Sequence, residues 1–310
     1  MNKLAISSSP HITGSNSTRK IMLDVIIALM PAAAASCWIF GIRALILIAV
    51  CVITCVAAEA LYCVIAKKPI PVGDLSAVVT GIMLAFNLPA SLPVWQAVVG
   101  SVVTIVVVKQ LFGGIGCNFV NPALAGRVIM AVSFTGTMVN YSFPDSAVDL
   151  LSSSTPLSVI WAGKAAELDL WQLFIGSHGG VIGETSCLAL LIGGLYLVLR
   201  KVIKPIIPLA YIGSAYIFLT LFGCAAPLVS ILSGGLFLGA IFMATDYVTT
   251  PYTNTGKLIF GIGCGLITAV IRTFANSTEG VSYAILIMNL LVPYINQWVR
   301  RKPYGTEAIR

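Results

Sequence analysis

The chain has 310 residues, of which 58% are hydrophobic and 9% are charged, and its formal net charge is +7. A soluble domain carries roughly a quarter charged residues, so this composition is typical of a protein embedded in a lipid bilayer. The basic residues lie between apolar segments, as they do where they fix the orientation of a membrane protein. This distribution argues against a nucleic-acid partner and predicts the lipid bilayer as the surroundings of the chain.

Ten apolar segments dominate the sequence. Crossing roughly 30 Å of hydrocarbon takes about 20 residues of helix, so we predict an all-α polytopic membrane protein with about ten transmembrane helices. In chain order the predicted spans are 22–41, 43–66, 75–90, 94–112, 121–139, 183–199, 206–223, 227–244, 257–272 and 281–299. Several are short or interrupted at Pro89, Pro122, Pro227 and the glycine-rich stretches. Such interruptions at membrane depth usually mark a binding site rather than plain packing.

The predicted spans form two groups of five. We expect an N-terminal tail, a first five-helix repeat, a polar loop, a second five-helix repeat and a C-terminal tail, at 1–20, 21–134, 135–182, 183–299 and 300–310. An odd number of spans in each repeat places the two repeats in inverted orientations. The third span of each repeat, at 75–89 and 231–246, leads into a polar stretch with a proline, which is a weak internal similarity.

The positions of Lys and Arg predict the orientation of the chain. With both termini in the cytoplasm, ten spans place nearly all basic residues on the cytoplasmic side and leave Arg43, Lys164 and Arg272 outside. In this arrangement Lys109 is one of the cytoplasmic charges. The asymmetry is the one that orients membrane proteins, so we expect the loop 135–182 to be extracytoplasmic.

That loop contains the run DLLSSSTPL at 149–157. Thr155 is flanked there by small residues and followed by Pro156, so we expect an exposed, weakly nucleophilic hydroxyl held in a turn. The spacing of Asp149, Ser152 and Thr155 is by itself a loose pattern, because serine-rich loops are common.

A glycine-rich run, GGIGCNFVNPAL, lies at 113–124 between the fourth and fifth predicted spans. Its glycines let a backbone approach closely, and the amides of Asn118 and Asn121 offer directional hydrogen bonds before a helix start at Pro122. The run lacks the Gly-Lys-Ser/Thr ending of a nucleotide P-loop. A simple turn between helices is the alternative interpretation.

A second polar run, FMATDYVTTP, lies at 242–251. Asp246 stands among threonine hydroxyls there, where it suits a hydrogen bond to a ring or the binding of a cation, and interfacial capping is the alternative. Glu59 is another acid within a predicted span, and such acids are functional candidates because burying them is costly. For Asn289, inside the last span, we favour a hydrogen-bonded core amide. No metal site is predicted, because the eight cysteines form no Cys-x-x-Cys pair and suit small hydrophobic positions.

Together these runs resemble one family. The residues that carry the resemblance are GGIGCN with NPA, MATD with TTP, EGV with MNLLVP, and STPL in the loop. SPH at 9–11 and IMLD at 21–24 fit as well. Across nearly its whole length the chain resembles the D subunits of Rnf ion-translocating ferredoxin:NAD⁺ oxidoreductases. The related B subunit of the sodium-pumping NADH:quinone reductase is longer.

The resemblance implies a covalent flavin. In that family a threonine in the extracytoplasmic loop carries FMN through a phosphoester, which a flavin transferase installs. Residue by residue, the acceptor maps to Thr155 and the recognition residues map to Ser152 and Asp149. The chain departs from the family's usual small residues at Leu150, Ser153 and Ser154.

The resemblance also suggests a second, non-covalent flavin (riboflavin), as relatives hold one. For a bound cofactor the candidate contacts are Asn118, Asn121 and Asp246.

The function implied by the resemblance is that of a membrane subunit which relays electrons between ferredoxin and NAD⁺, coupled to Na⁺ or H⁺ translocation. The expected location is the bacterial cytoplasmic (inner) membrane. The expected partners are Rnf subunits A, B, C, E and G, above all the flavin-bearing G subunit and the membrane subunits A and E. The chain has no Gly-x-Gly-x-x-Gly after a strand with which to bind NAD, so we expect it to be inactive alone.

Two other classes of function remain open on the sequence. A secondary transporter or channel without flavin would also use inverted repeats and interrupted helices. A purely structural membrane scaffold would leave the Asn, Asp and Thr residues at the span breaks unexplained.

Overall fold

The structure is a computed structural model that describes residues 17–141, 155–162, 169–176, 178–275 and 280–299. Within these residues the secondary structure is helical, and the only β-pairing is one isolated antiparallel bridge between Pro89 and Val181. The predicted all-α class is therefore confirmed for the described part of the chain.

The first half contains two long helices followed by shorter ones. In chain order these are α1 (Thr18–Phe40), α2 (Ile42–Ile65), α3 (Ser76–Phe86), α4 (Val94–Val103), α5 (Pro122–Ser133) and α6 (Thr135–Met138). A π-helical segment, Thr104–Gln110, continues α4. The side chain of Ser17 caps the start of α1 by accepting a hydrogen bond from the Lys20 N–H.

The predicted loop 135–182 contains two short helices among its described residues. They are α7 (Pro156–Trp161) and α8 (Leu170–Ile175), and both pack against the second half of the chain. The loop is thus partly helical and is attached to the bundle.

The second half again begins with apolar helices. They are α9 (Cys187–Leu199), α10 (Ile206–Leu221), α11 (Pro227–Leu232), α12 (Leu236–Leu238), α13 (Asn254–Phe274) and α14 (Gly280–Trp298). A π-helical segment, Gly239–Met243, continues α12.

Three helices, α1, α2 and α13, are long and apolar enough to cross a membrane. Shorter apolar helices accompany them at Ser76–Phe86, Val94–Gln110, Pro122–Ser133, Cys187–Leu199 and Ile206–Leu221. Large apolar side chains point outward from the bundle, such as Trp38 at 91% exposure. This surface is favourable in hydrocarbon and unfavourable in water.

The expected interruption of spans at Pro122 and Pro227 is wrong, whereas the expected helix start at Pro122 is confirmed. Pro122 and Pro227 each occupy the first turn of a helix, where the missing N–H costs nothing. The eighth predicted span is interrupted further along, between Leu232 and Leu236. There Gly234 and Gly235 adopt φ of 70° and 68°, which residues with a side chain rarely adopt.

The two halves share one core. α1 packs on α9, and α5 packs on α14, while α2 packs on α3 and α10 packs on α13. Lys257 lies in the first turn of α13 and Arg272 in its last turn, about 22 Å apart along the helix axis. We call the two ends of the bundle the Lys257 end and the Arg272 end.

The carbonyl groups freed where α3 ends are satisfied by a distant segment. The Ile182 N–H donates to the Leu88 carbonyl at 3.0 Å, and the Gly183 N–H donates to the Phe86 carbonyl at 2.9 Å. A Cβ on Gly183 would overlap the Phe86 side chain. Glycine at 183 therefore permits the close pairing that non-helical backbone inside a membrane protein requires.

Candidate functional site

A cavity at the Lys257 end spans about 810 Å³ of non-protein space, part of which is open to the outside. We call it the Asn118 cavity; its walls come from α1, α3, α5, the glycine-rich turn and the segment after α12. Asn118, Asn121 and Asp246, which the sequence analysis named as candidate cofactor contacts, all line it. Their convergence from two distant parts of the chain makes this cavity the leading candidate site.

Asn118 is the residue best placed to meet a ligand. Its Oδ1 atom is buried and has no hydrogen-bond partner in the described structure. A buried acceptor without a partner is costly, so a ligand N–H or O–H at this position would gain free energy. The glycines before it at 113, 114 and 116 have φ of 119°, 92° and 87°, so the turn that presents Asn118 requires them.

Asn121 has a mainly structural role. Its Oδ1 caps α5 by accepting from the N–H groups of Ala123 at 3.0 Å and Leu124 at 3.4 Å. Its Nδ2 donates to the Met243 carbonyl at 3.1 Å. With its amide oriented to suit its neighbours, Asn289 accepts from the Asn121 N–H at 3.2 Å and is hydrogen-bonded in the core, as we expected.

Asp246 shapes the segment that closes the Asn118 cavity. Its carboxylate accepts from the Thr249 hydroxyl at 3.2 Å. Burial raises the pKa of the Asp246 carboxyl, and hydrogen bonds from Thr249 and from the N–H groups of Val248 and Tyr247 oppose that rise. The carboxylate is therefore both a turn cap and a polar wall of the cavity.

Lys109 is a buried charge and not a surface one as the sequence analysis assumed. Its Nζ lies 2.7 Å from Glu59 Oε1, with side-chain exposures of 2% and 0%, and it also donates to Ser76 Oγ at 2.7 Å. Gln110 donates to the same Glu59 oxygen at 2.7 Å. The sequence already indicated that Lys109 is buried, because it lies inside the predicted span 94–112 and not after it.

A line of buried polar contacts leads from the Asn118 cavity towards the second site. Asn121 bonds the Met243 carbonyl, and Asn87 Nδ2 contacts Met243 Sδ at 3.6 Å. Arg127 Nη1 then donates to Asn87 Oδ1 at 2.9 Å. Intramembrane polar residues are rare and usually functional. Asn87 and Arg127 were not among the site residues predicted from the sequence.

The second site surrounds Thr155. A small cavity, the Thr155 cavity, spans about 270 Å³ of non-protein space including space open to the outside, and Thr155, Arg127, Tyr141, Glu184 and other residues line it. Thr155 is only 9% exposed, so the expectation of an exposed hydroxyl is wrong. Its Oγ1 caps α7 by accepting from the Ser158 N–H at 3.4 Å.

Two predicted recognition residues, Asp149 and Ser152, lie outside the described residues. Within the described residues no group of three or more His, Cys, Asp or Glu side chains could hold a metal ion, and the cysteines are free thiols.

The fold and these sites define a class of protein: a helical membrane protein whose interior carries buried charges and amides between cavities at opposite ends. Comparison with known sequences identifies the family. The profile of the NQR2, RnfD, RnfE family matches residues 5–305, and the chain belongs to that family.

Curated relatives match along their full length. The chain is 48% identical to the D subunit of the Na(+)-translocating ferredoxin:NAD(+) oxidoreductase complex of Acetobacterium woodii, covering 99% of this chain and 97% of the relative. It is 38% identical to the D subunit of the proton-translocating ferredoxin:NAD(+) oxidoreductase complex of Clostridium ljungdahlii, with the same coverage. The D subunit of the ion-translocating oxidoreductase complex of Escherichia fergusonii is 33% identical over 97% of this chain and 98% of the relative.

Proposed function

We propose that this chain is the D-type membrane subunit of an ion-translocating ferredoxin:NAD⁺ oxidoreductase complex in the bacterial cytoplasmic membrane. The observation that carries the proposal is the 48% identity along 99% of the chain to a relative with that name. The interior sites support it, because they offer one nucleophilic hydroxyl and one cavity with an unpartnered acceptor.

Thr155 is the proposed attachment point for FMN, through a phosphoester that a flavin transferase forms. Thr155 Oγ1 is held in place by its role at the start of α7. An ester oxygen keeps a lone pair, so it can still accept from the Ser158 N–H after esterification, and the cap survives. A covalent tether keeps the flavin at high local concentration on a side of the membrane where it could not be replaced.

The Asn118 cavity is the proposed site of a second, non-covalent flavin such as riboflavin. Its wall is mainly apolar, with Val79, Met83 and Phe242 among the lining residues, which suits a planar aromatic ring. Asn118 Oδ1 would accept a hydrogen bond from the ligand, and Asp246 would offer a polar edge. A bound flavin supplies one- and two-electron chemistry, while the protein supplies position and electrostatics.

The two proposed sites lie towards opposite ends of the bundle, so electrons must enter and leave through different neighbours. We propose that membrane subunits A and E serve the cytoplasmic side and that the G subunit lies beside the Thr155 loop. The isolated chain, even with its flavin attached, should not be reduced by cytoplasmic-side donors, whereas the assembled complex should be. Rapid reduction in vesicles that contain this chain alone would contradict the need for neighbours.

The proposed architecture is two inverted five-helix repeats with both termini and the Lys257 end in the cytoplasm. Gly81 and Gly239, Pro93 and Pro251, and Met130 and Met288 are all separated by the same number of positions, 158. The start of α3 lies at the Lys257 end, whereas the start of α12 lies near Arg272 at the other end. Equivalent elements at opposite ends are what inversion produces.

The deciding experiment is the intact mass of the purified chain. Wild type should exceed its sequence mass by one FMN phosphoester, and the flavin fluorescence should survive denaturing electrophoresis. Thr155→Ala should remove both signals, while Ser154→Ala, which deletes a neighbouring hydroxyl, should keep them. A Thr155→Ala protein that stays fluorescent would place the acceptor elsewhere.

A flavin-free transporter or channel is the second candidate, favoured by the cavity and the interrupted helices. The line of polar contacts between the two sites includes the Arg127 guanidinium, which is a hydrogen-bond donor without a lone pair to offer a cation. A chain of unmodified mass that carries ions in vesicles without its redox partners would support the transporter instead.

A further inference from the structure

A third cavity lies at the Lys257 end, where α9 ends and where α10 and α13 begin. It spans about 540 Å³ of non-protein space, part of which is open to the outside, and Lys201, Lys204 and Lys257 all line it. We call it the Lys201 cavity. None of the described residues that line it is Asp or Glu. Three positive charges around one concave site favour an anionic ligand.

The three lysines form no ion pair within the described part of the chain. Lys204 Nζ donates to the neutral Oδ1 of Asn254 at 3.0 Å. Lys204 and Lys257 are close enough for their positive charges to repel each other. An anion placed between the lysines would replace this repulsion with attraction.

Two acids near this cavity are engaged elsewhere. Asp24 forms an ion pair with Arg200 at 3.3 Å. The Asp246 carboxylate accepts from the Thr249 hydroxyl and lines the Asn118 cavity, whereas it does not line the Lys201 cavity. These acids therefore leave the charge of the lysines available to a ligand.

Lys201 occupies a backbone position that suits glycine. Its φ is 57°, its N–H donates to the Val198 carbonyl at 3.0 Å, and the Val202 N–H donates to the Leu197 carbonyl at 2.9 Å. This pair of hydrogen bonds is the Schellman motif, in which glycine is usual at the position with positive φ. What lysine adds at position 201 is therefore its side chain and not its backbone.

The starts of two helices add to the positive potential of the cavity. Gly261 packs against Ala210, and Gly265 packs against Ser214, so α10 and α13 run side by side in the same direction. Both helices therefore begin at this end of the bundle, and α10 begins without a side-chain cap. The partial positive charge of a helix start reinforces that of the lysines.

The surroundings of the cavity favour a lipid as the source of the anion. Beyond the lysines, α10 and α13 carry exposed apolar side chains, such as Leu209 and Leu258. A phospholipid has its phosphate at the level of the lysines when its acyl chains lie along such helices. Basic pockets between transmembrane helices are typical sites for anionic lipid headgroups.

The tails of the chain are poor competitors for this cavity. Residues 1–16 and 300–310, which lie outside the described residues, contain five Lys or Arg and only one acid, Glu307. Segments of this charge are repelled by a cluster of lysines. The occupant is therefore expected to come from outside the chain.

We propose that the Lys201 cavity binds the phosphodiester of an anionic phospholipid such as phosphatidylglycerol, with the acyl chains on the outward surface of α10 and α13. In the proposed orientation this lipid belongs to the cytoplasmic leaflet. The Lys201 cavity and the Asn118 cavity share a wall formed by Val202, Ile203, Thr245 and Tyr247. The bound lipid therefore stabilises a wall of the Asn118 cavity, whether or not that cavity holds a flavin.

The test compares two lysines in the same backbone motif. Lys67 follows α2 as Lys201 follows α9, with a φ of 52°. The Lys67 N–H donates to the Val64 carbonyl at 3.2 Å, and the Lys68 N–H donates to the Cys63 carbonyl at 2.9 Å. Lys67 does not line the Lys201 cavity. Lys201→Gly and Lys67→Gly therefore remove the same charge from the same motif, but only Lys201→Gly changes the cavity.

The purified full chain is mixed in detergent with phosphatidylglycerol or with phosphatidylcholine. Native mass spectrometry measures the lipid retained, and the thermal unfolding midpoint is measured with each lipid. Wild type should retain phosphatidylglycerol in preference to phosphatidylcholine and should be stabilised by it. Lys201→Gly and Lys257→Gln should each retain about fivefold less phosphatidylglycerol, the loss expected for one lysine beside an anionic headgroup. Lys67→Gly should match wild type.

The stability of Lys201→Gly separates lost binding from lost folding. Without phosphatidylglycerol its thermal midpoint should equal or exceed that of wild type, because glycine adopts this backbone conformation readily. Equal retention of phosphatidylglycerol by wild type, Lys201→Gly and Lys257→Gln would overturn the proposed site.

Two further results would assign the lysines to another ligand and would also overturn the proposal. The first is displacement of phosphatidylglycerol by inorganic phosphate at constant ionic strength, which would indicate a site for a free anion. The second is unchanged lipid retention by Lys201→Gly together with loss of the other subunits from the purified complex, which would indicate an acidic protein surface.

Discussion

Two buried cations occupy comparable places in the two halves of the molecule. Lys109, from the segment that continues α4, bonds Ser76 at the start of α3. Arg272, from the last turn of α13, bonds the Ser233 and Gly234 carbonyls just before α12. Lys109 forms an ion pair with Glu59, whereas the hydrogen bonds of Arg272 go to backbone carbonyls and the Ser230 hydroxyl. The first cation is therefore held by an ion pair, and the second by neutral acceptors at a helix break.

The difference shows how an interrupted helix inside a membrane can be stabilised. A carboxylate partner neutralises a buried cation. Removing either member leaves an uncompensated buried charge, which destabilises the folded protein. A guanidinium that serves several carbonyls at once stabilises the break and keeps its charge. The following variants test this difference, and they are ordered by the size of the expected loss.

Arg272→Leu should have the largest effect. It removes the donors to the carbonyls of Ser230, Ser233 and Gly234, and each unsatisfied buried group costs about 1–3 kcal/mol. We expect little or no monodisperse protein in size-exclusion chromatography, and partial recovery with Arg272→Lys. Arg43→Leu, at an exposed arginine, should leave the yield unchanged, and a normal yield of Arg272→Leu would show that the break is held by other contacts.

Glu59→Gln should come next, since it leaves Lys109 without its counter-charge. Removing one member of a buried ion pair costs about 3–5 kcal/mol, and replacing both members is far less costly. We therefore expect Glu59→Gln and Lys109→Met each to lower the thermal unfolding midpoint in detergent. The double variant should recover most of the loss, and strictly additive losses would mean that the pair is not coupled.

Gly183→Ala tests the end of α3, which is held by the backbone pairing of segment 182–183 as well as by the hydrogen bond from Arg127 to Asn87. The new Cβ would overlap Phe86, and such overpacking costs about 1–3 kcal/mol. The thermal midpoint should fall. Gly213→Ala, in α10 with open space around its Cα, is the control and should equal or exceed wild type, because alanine stabilises a helix. Equal behaviour of the two variants would show that segment 181–183 can move away from Phe86.

Asn118→Ala should have the smallest effect on stability, because its buried Oδ1 has no partner in the described structure. Asn121→Ala removes a helix cap and should cost roughly 0.5–2 kcal/mol. The thermal midpoint should therefore fall only for Asn121→Ala, whereas the amount of non-covalent flavin retained after gel filtration should fall for Asn118→Ala. Retention of flavin by Asn118→Ala would remove this residue from the site.

The sequence by itself determined the class of the protein and the segments that matter. Composition and apolar segment length are local quantities, and they were sufficient for the helical membrane fold. The runs around Asn118, Asn121 and Asp246 were recognisable because amides and carboxylates at span breaks are rare. The structure places all three residues around one cavity. That they bind a cofactor is a prediction.

The tertiary structure alone decided which of these groups have partners. Asn121 is occupied as a cap while Asn118 is left with a free acceptor, although the two amides look alike in the sequence. Lys109 pairs with Glu59 and Arg272 with distant carbonyls, and Thr155 is buried against α7. A hydrogen bond or ion pair depends on distances of a few ångströms between segments far apart in the chain. Local sequence patterns contain no such distances, so only the packed fold shows which charges and acceptors remain available to a ligand.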